Sequence, residues 1–388
     1  MAWDDGQTAG ARFEHATEAA ARLHPHWSLG AAYGGFTKAL SQWSPQLAPA
    51  IAQRLRQQML ERYGDRGRWQ GWWLVAADGS RVEAPRSVDN QALLGCAGRD
   101  KTGPQVFATV VWQLRLGMPW SYRVGPGTDS ERCHLHEMLD DLAERSLVVA
   151  DAGFISYALC QRLMTGGHAF LLRVGGNVTL LEQLGYAQCE RNRVYLWPQK
   201  QQQHQQPPLV LRLIRLVRGS QAVYLVTDLD ESQLSDEEAG WLYEQRWGIE
   251  VFYRSYKQTL ERHTLLSRTA VNCLLECEWT LLALWLLALV TVRRLIPLGI
   301  EPRRWSPARA RDAVRAAMRG NRYRRRAPLP QRLALAVRDN YQRQRPKHSR
   351  DYPRKKRERP PGPPKIKPAT PKEIFKAQRL RKTLARAP

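Results

Sequence analysis

The sequence predicts an α/β fold, and three features carry that reading. Two apolar runs too short for helices, Trp72-Trp73-Leu74-Val75-Ala76-Ala77 and Ser146-Leu147-Val148-Val149-Ala150, each stop at an aspartate with a glycine close behind. Such runs read as buried strands ending at Asp78 and Asp151. Between Tyr243 and Leu260 the apolar spacing is helical instead. Strands alternating with helical stretches favour a sheet covered by helices, and an aspartate at the carboxyl edge of such a sheet stands where α/β proteins bind ligands.

Taken in order, residues 1–68 are rich in Ala, Gln and Arg with helical spacing, which predicts a small helical domain. Within it Ser44-Pro45 reads as a cap and first-turn proline ahead of Leu47, Ile51, Leu55 and Met59. After the Asp78 strand, 106–116 and 120–124 read as two further strands joined around Gly117-Met118-Pro119. A helix over 130–144 then leads into the Asp151 strand. Three strands, a helix and a fourth strand match the order of a ribonuclease-H-like core, assigned to 69–300.

The stretch between Asp151 and Glu250 is longer than one connecting helix and strand require. It holds a helical run near 155–164, a strand at 169–173 and strand-like runs at 194–197, 209–217 and 222–227. These predict a β-rich insertion over about 174–235, with Gln201-Gln202-Gln203-His204-Gln205-Gln206-Pro207-Pro208 as an exposed loop. Trp197 reads as core packing or as a platform for an unpaired base.

On a helical wheel at about 100° per residue, with Tyr243 at zero, Arg246 falls at about 300°, Glu250 at about 340° and Lys257 at about 320°. All four share one stripe. Leu242, Ile249, Phe252, Tyr253, Tyr256 and Leu260 form an apolar face beside it. One helix would thus dock in a core while presenting a carboxylate between two cations and a phenol. Solvated ion pairs are the plain alternative for charges at such spacing.

In order and spacing, Tyr243, Arg246, Glu250 and Lys257 resemble the Tyr-Arg-Glu-Lys signature of the insertion-sequence-4 type of DDE transposases. The resemblance covers roughly residues 70–295. It implies that Asp78, Asp151 and Glu250 are the catalytic acids and metal ligands, and that Tyr243, Arg246 and Lys257 grip DNA phosphates. The implied cofactor is Mg²⁺, with Mn²⁺ as a substitute and two ions in the site, Asp78 shared between them. Three carboxylates suit that task, because Mg²⁺ takes hard oxygen ligands, and two ions about 3.5 to 4 Å apart stabilise both the attacking and the leaving oxygen of a phosphodiester. After the first acid the family commonly carries Leu-Pro-Asp-x-Pro-Glu-Asn and then Phe-Gly, whereas this chain reads Ala84-Pro85-Arg86-Ser87-Val88-Asp89-Asn90 and Leu94-Gly95. Asp89 is therefore a second candidate for the first acid, and Asp78 is preferred because it ends the apolar strand.

The implied activity is cleavage at transposon ends and transfer of the freed 3′ hydroxyl into target DNA by a cut-and-paste route. A homodimer or larger synaptic complex on DNA is the expected assembly, and residues 1–68 would either help recognise the element's ends, as the resemblance implies, or pack as helices against the core. A metal-dependent nuclease on the same core and a non-catalytic DNA-binding derivative are the competing readings.

Charge distribution agrees with a polyanionic partner. The chain carries 60 Lys and Arg against 36 Asp and Glu, for a net charge of +24. From residue 301 onward there are 29 basic and six acidic residues, so the excess is concentrated there. Arg322-Tyr323-Arg324-Arg325-Arg326, Arg354-Lys355-Lys356-Arg357 and Pro360-Pro361-Gly362-Pro363-Pro364 predict a basic, largely disordered arm over 301–388. Nucleic acid is the expected partner of such an arm.

The six cysteines form no Cys-x-x-Cys pair, which favours structural thiols in a reducing compartment. Cys273 and Cys277 read as core residues, and His134 and His136 as ordinary polar residues rather than metal ligands. The start of the chain lacks the basic and apolar regions of a signal peptide. The apolar stretch 279–292 is shorter than the about 20 residues that cross a bilayer, so it reads as a buried helix and no membrane partner is expected. The expected location is the cytoplasm of a bacterial-type cell, on the nucleoid.

Overall fold

The computed structural model describes residues 1–30, 32–96, 103–187, 191–218, 221–320, 327–339 and 362–384. In chain order its elements are α1 (Ala9–Leu23), α2 (Tyr33–Gly67), β1 (Arg68–Trp69), β2 (Trp72–Glu83), α3 (Val88–Leu93), β3 (Gln105–Gln113), β4 (Met118–Pro126) and α4 (Glu131–Met138). They continue with β5 (Ser146–Ala150), α5 (Tyr157–Thr165), β6 (Ala169–Val174), β7 (Thr179–Glu182), β8 (Arg193–Leu196), α6 (Gln199–Gln203), β9 (Leu209–Arg218), β10 (Gln221–Thr227) and α7 (Asp236–Gln245). Last come α8 (Trp247–Arg254), α9 (Ala270–Leu295), α10 (Pro307–Met318), α11 (Leu329–Ala334), β11 (Lys365–Pro368) and α12 (Pro371–Leu384). The chain divides into two compact units, Met1–Ala143 with Gln245–Arg338, and Glu144–Glu244 with Asp339–Pro388.

The first unit holds the antiparallel strands β1 to β4 in sequence order. Its core is rich in indole, with Trp73, Trp120, Trp285 and Trp305 all fully buried and Trp73 edge-on to Trp120 at 5.0 Å. Helix α9 packs against α2, β4, α10 and α11. It is the one helix among the described residues long and apolar enough to cross a membrane, by length and composition only. The apolar stretch expected to be too short for that is therefore extended, because Cys277 and Cys273 add buried residues about one and two turns before Leu281.

Two expectations for this unit change. Ser44-Pro45 does not begin a helix; α2 runs from Tyr33 through Pro45 and Pro49. Ser44 is buried, donates its hydroxyl to the Leu40 carbonyl at 2.6 Å and accepts the Trp279 indole N–H at 2.7 Å. Nor does β2 stop at Asp78. It continues through Gly79 and Ser80 to Glu83, paired throughout with β3. The Asp-Gly pair makes no turn because the Phe107 ring occupies the space a Cβ at Gly79 would need, at 2.6 Å. Glycine lets that ring pack on the strand.

In the second unit, β5 and β6 run parallel, and β6 then pairs antiparallel with β10. Strands β9, β8 and β7 follow by antiparallel pairing. Strand β11 adds to β7 in parallel. Strands β7 to β10 thus occupy the stretch read as a β-rich insertion. Within the glutamine-rich stretch, 199–203 form the short helix α6. Trp197 is buried and donates its indole N–H to the Gln206 carbonyl at 2.7 Å, which removes it as a base platform.

The described part of 301–388 is folded rather than disordered. Helix α10 buries Ala310, Ala313 and Val314, α11 buries Leu333, and α12 buries Ala377 and Leu380. Small apolar residues spaced between the arginines supply one buried face per helix, which an average over composition conceals. The runs Arg322–Arg326 and Arg354–Arg357, with Pro360 and Pro361, lie outside the described residues. The mixed α/β architecture fits a ribonuclease-H-like core.

Candidate active site

The stripe from Tyr243 to Lys257 is not one regular helix. Helix α7 ends at Gln245, Arg246 intervenes, and α8 begins at Trp247. From Ser255 to Thr259 the chain winds as a π-helix, with Leu260 N–H bonding the Ser255 carbonyl at 3.0 Å and Arg262 N–H the Lys257 carbonyl at 2.9 Å. Such wide turns change the wheel positions of everything after them, and they recur at functional sites.

Within the first unit, three of the expected residues come together. Arg246 is buried, its Nη2 donating to Glu250 Oε1 at 3.1 Å while its Nη1 lies 4.0 Å from Asp78 Oδ2. Both carboxylates keep an opening to solvent, with side-chain exposures of 23% for Asp78 and 37% for Glu250. Burial pushes the Asp78 carboxyl up to about 6, Arg246 pulls the other way, and the Glu131 and Glu250 carboxylates add to the rise. Tyr253, on the apolar face of α8, has its hydroxyl 2.9 Å from the Asp78 carbonyl and 3.0 Å from that of Ala108. That contact fastens α8 across β2 and β3.

Lys257 also reaches β2. Its Nζ donates to Ser80 Oγ at 2.8 Å, two residues along the strand from Asp78 and hence on the same face. Burial lowers the pKa of Lys257, with Glu83 opposing that shift.

In the second unit, Asp151 follows the end of β5 directly, with 40% of its side chain exposed. Its Oδ1 accepts the Ala152 N–H at 2.8 Å and the Tyr243 phenol at 3.3 Å. Arg173 on β6 lies 3.7 Å away. Tyr243, expected on a phosphate, is therefore in contact with an acid.

Asp89, the rival first acid, has a different task. Its Oδ2 accepts the Ala270 N–H at 2.7 Å and so caps α9 from a distance. Cys273 and Cys277 are buried, Cys273 with its thiol against the Ser267 carbonyl at 3.0 Å. His134 is buried between Thr109 and Asp129, at 3.0 Å from each.

Reasoning from sequence missed Ser80, Glu131 and Arg173, and it placed Tyr253 on the apolar face without the contacts its hydroxyl makes. Ser80 was readable from the period of two, had the strand been extended past Gly79. Arg173 was readable as the residue at the end of a neighbouring parallel strand. Nothing local marks Glu131, whose carboxylate comes to the Asp78 strand because α4 packs on β2, with Oε2 3.1 Å from the position a Cβ would take at Gly79.

Asp78 and Glu250 in the first unit, and Asp151 in the second, each offer hard, partly open carboxylate oxygens of the kind that Mg²⁺ and Mn²⁺ take. The first unit holds a second acidic group. Asp4, Asp5 and His15 are, among the described residues, the group whose ligand atoms lie within 4.8 Å of one another. Its members are already engaged, Asp4 with His15 and the Gly6 N–H, and Asp5 with Arg319.

Comparison with known proteins bears on the same stretch. The transposase InsG for insertion sequence element IS4 of Escherichia coli (strain K12) is 27% identical over 222 residues, 54% of this chain. The chain spans about half the length of that relative, 50% of it. A match to the piggyBac transposase, in its cryo-EM synaptic complex with hairpin DNA, covers 69% of this chain and 58% of that one at 12% identity. Its TM-score is 0.38. The family profile for the transposase DDE domain matches residues 69–286, more than half of the chain and inclusive of β2, β5 and α8. A chain that carries acids on β2 and α8 and directly after β5, and that matches this profile over more than half its length, belongs to the transposase DDE domain family.

Proposed function

We propose that this chain is a DNA transposase that cleaves phosphodiester bonds at the ends of a mobile element and joins the freed 3′ hydroxyl to target DNA by a cut-and-paste route. Asp78, Asp151 and Glu250 are its metal-holding acids, for two Mg²⁺ ions or for Mn²⁺ in their place. The observation that carries the reading is Arg246, buried beside two partly open carboxylates of a family defined by such acids. Like charges held close repel unless a cation stands near them. In the resting protein Arg246 is that cation.

Bound metal would supply an activated oxygen nucleophile and stabilise the leaving oxygen. The protein's own groups position the acids. Tyr253 fixes the Asp78 backbone, Arg246 orients Glu250, and the Tyr243 phenol and Arg173 orient Asp151. The planar fork of the Arg246 guanidinium, which orients Glu250, would also suit a phosphate oxygen of bound DNA. Lys257, tied to Ser80 in the resting protein, supplies a second cation on the same strand face.

DNA is the partner, held through Lys and Arg contacts to phosphate that carry no sequence information. The working form is a homodimer or larger synaptic complex, because two ends must be joined. Residues 1–68 contribute to end recognition, and the protein acts on the nucleoid.

The test uses labelled DNA bearing the ends of the encoding element, with Mg²⁺ or EDTA, and compares wild type with Glu250→Gln. The expected outcome is metal-dependent cleavage and joining, both abolished in the variant, while DNA binding stays within about threefold. Cleavage without joining would turn the reading to a nuclease, and binding without cleavage to a regulatory derivative.

A further inference from the structure

Helix α12, in the second unit, is firmly built. Strand β11 leads into it, pairing with β7 from Lys365 to Pro368, and the Ala369 N–H donates to the Glu182 carbonyl at 2.9 Å. Thr370 then caps the helix. Its N–H and hydroxyl both donate to Glu373 Oε2 at 2.8 Å, while the Glu373 N–H returns to Thr370 Oγ1 at 3.3 Å. This reciprocal box is a strong helix start. Ala377 and Leu380 turn inward and are buried.

The outer face of α12 carries one sign of charge. On a wheel at about 100° per residue, with Ala377 at zero and Leu380 at about 300°, Lys372, Phe375, Lys376, Arg379 and Lys382 fall between about 140° and 260°. Lys372, Arg379 and Lys382 are exposed, Lys376 is half-buried, and Phe375 is 71% exposed. Glu373, the one acid in the helix, falls outside this stripe at about 320° and is held by the cap and by Gln202. The rest of the unit differs. Residues 144–244 hold nine Lys and Arg against eleven Asp and Glu, whereas 362–384 hold seven against one. Like charges three or four positions apart destabilise a helix, and Lys372–Lys376, Lys376–Arg379 and Arg379–Lys382 make three such pairs in succession. A bound polyanion would relieve them. The β11 lysines have a plainer account, since Lys and Pro on an edge strand block pairing with another chain.

We infer that the outer face of α12 is a docking site for duplex DNA of any sequence and that it holds target DNA, the second part resting on the transposase reading above. From Lys372 to Lys382 the helix rises about 15 Å, the axial length of about four phosphates of one strand at 3.4 Å each. Four cations lie along that length. Lys and Arg on phosphate read no bases, and Gln378, which could, lies outside the stripe at about 100°. The ends of a mobile element have a fixed sequence and its target does not, so a sequence-neutral surface suits the target. Phe375 adds an apolar contact to the sugars within the same stripe. A membrane is a poorer partner, because interfacial helices bury their apolar face in lipid, and that face of α12 is occupied by the protein itself.

Full-length variants with equal loss of charge test this. Lys376→Gln with Arg379→Gln empties the middle of the stripe, and Lys372→Gln with Lys382→Gln replaces that pair if it misfolds. Lys365→Gln with Lys367→Gln removes the same charge from β11. Binding to a random-sequence duplex is followed by fluorescence anisotropy from about 50 to 200 mM salt. The stripe pair is expected to weaken binding about tenfold and to lower the slope of log affinity against log salt by about two, at about 0.9 per phosphate contact. The β11 pair is expected to change affinity by less than about twofold, and Phe375→Ala to weaken it about threefold at unchanged slope. With Mg²⁺, end DNA and limiting target, the stripe pair is expected to cleave ends at the wild-type rate and to join them about tenfold more slowly. Equal losses from the two pairs, unchanged duplex binding in a folded stripe variant, or tighter binding to phosphatidylserine vesicles than to duplex would each overturn the site. Cleavage and joining that fell together would overturn the assignment to target DNA. A wild type that neither cleaves nor joins would overturn the transposase reading and the target assignment with it, and the binding comparison would still decide the site.

Discussion

Asp78 and Asp151 look alike in sequence, each closing an apolar run, yet they occupy different environments. Asp78 lies inside β2, paired with Val110 on β3, with its carboxyl raised by burial to about 6. Asp151 lies just beyond β5, 40% exposed, with a backbone N–H, a phenol and a guanidinium around it. The difference comes from what stands opposite. At Gly79 the Phe107 ring fills the missing side-chain space and holds the strand in its ladder. The contrast teaches that a terminal aspartate in a pattern is a statement about the chain, whereas its charge state is set by the neighbouring strand.

The largest effect should come from breaking that packing. Gly79→Ala would set a Cβ 2.6 Å from the Phe107 ring and near Glu131. Overpacking of this kind costs about 3 kcal/mol, read as a lower urea midpoint with unchanged slope. If stability moved by less than about 1 kcal/mol, the account of why β2 runs past Asp78 would be wrong.

Neutralising each aspartate in EDTA sharpens the comparison. A carboxyl raised from 3.8 to about 6 disfavours the charged form in the fold. Asp78→Asn should therefore stabilise the metal-free protein at neutral pH by about 2 kcal/mol, at about 1.4 kcal/mol per pKa unit with allowance for partial exposure. Asp151→Asn, at a more open position, should change stability by less than about 0.5 kcal/mol. Equal effects would erase the distinction.

Asp228 provides a burial-only control. Its carboxyl is also raised to about 6, by desolvation, against the lowering effect of the Phe170 N–H at 3.0 Å. A raised carboxyl contributes stability that is complete below its unfolded value of 3.8 and lost as pH climbs through about 6. Asp228→Asn, which keeps an acceptor for Phe170, should flatten the stability curve across that window by about 1 to 2 kcal/mol. A curve as steep as the wild type's would leave the burial argument without support.

Much of this was legible from residues alone. The strand that carries Asp78, the strand before Asp151 and the Arg246–Glu250 pair all follow from apolar period and helical spacing. Three features were not. The π-turn at 255–259 depends on tertiary packing of Tyr256, which is buried, and has no local signature. The extension of β2 depends on Phe107, 28 positions away by sequence from Gly79. The folded helices after residue 301 rest on a few small apolar side chains within a strongly basic composition, where averaging over the segment dilutes them.

The smallest expected effect on DNA cleavage separates Asp78 from Asp89, the other aspartate that sequence allowed as first acid. Asp89 Oδ2 accepts the Ala270 N–H at 2.7 Å, and Thr269, at the N-cap of α9, makes no side-chain cap of its own. Asp89 thus satisfies an N–H that the helix leaves open, and its charge lies at the positive end of the α9 dipole. Asp89→Ala should cost about 1 kcal/mol in thermal or urea unfolding, the usual loss for a removed cap. DNA cleavage, measured where the folded fraction is still complete, should stay within about twofold of wild type. A loss of cleavage with unchanged stability would move the first metal position from Asp78 to Asp89, since a capping residue cannot fail in that way.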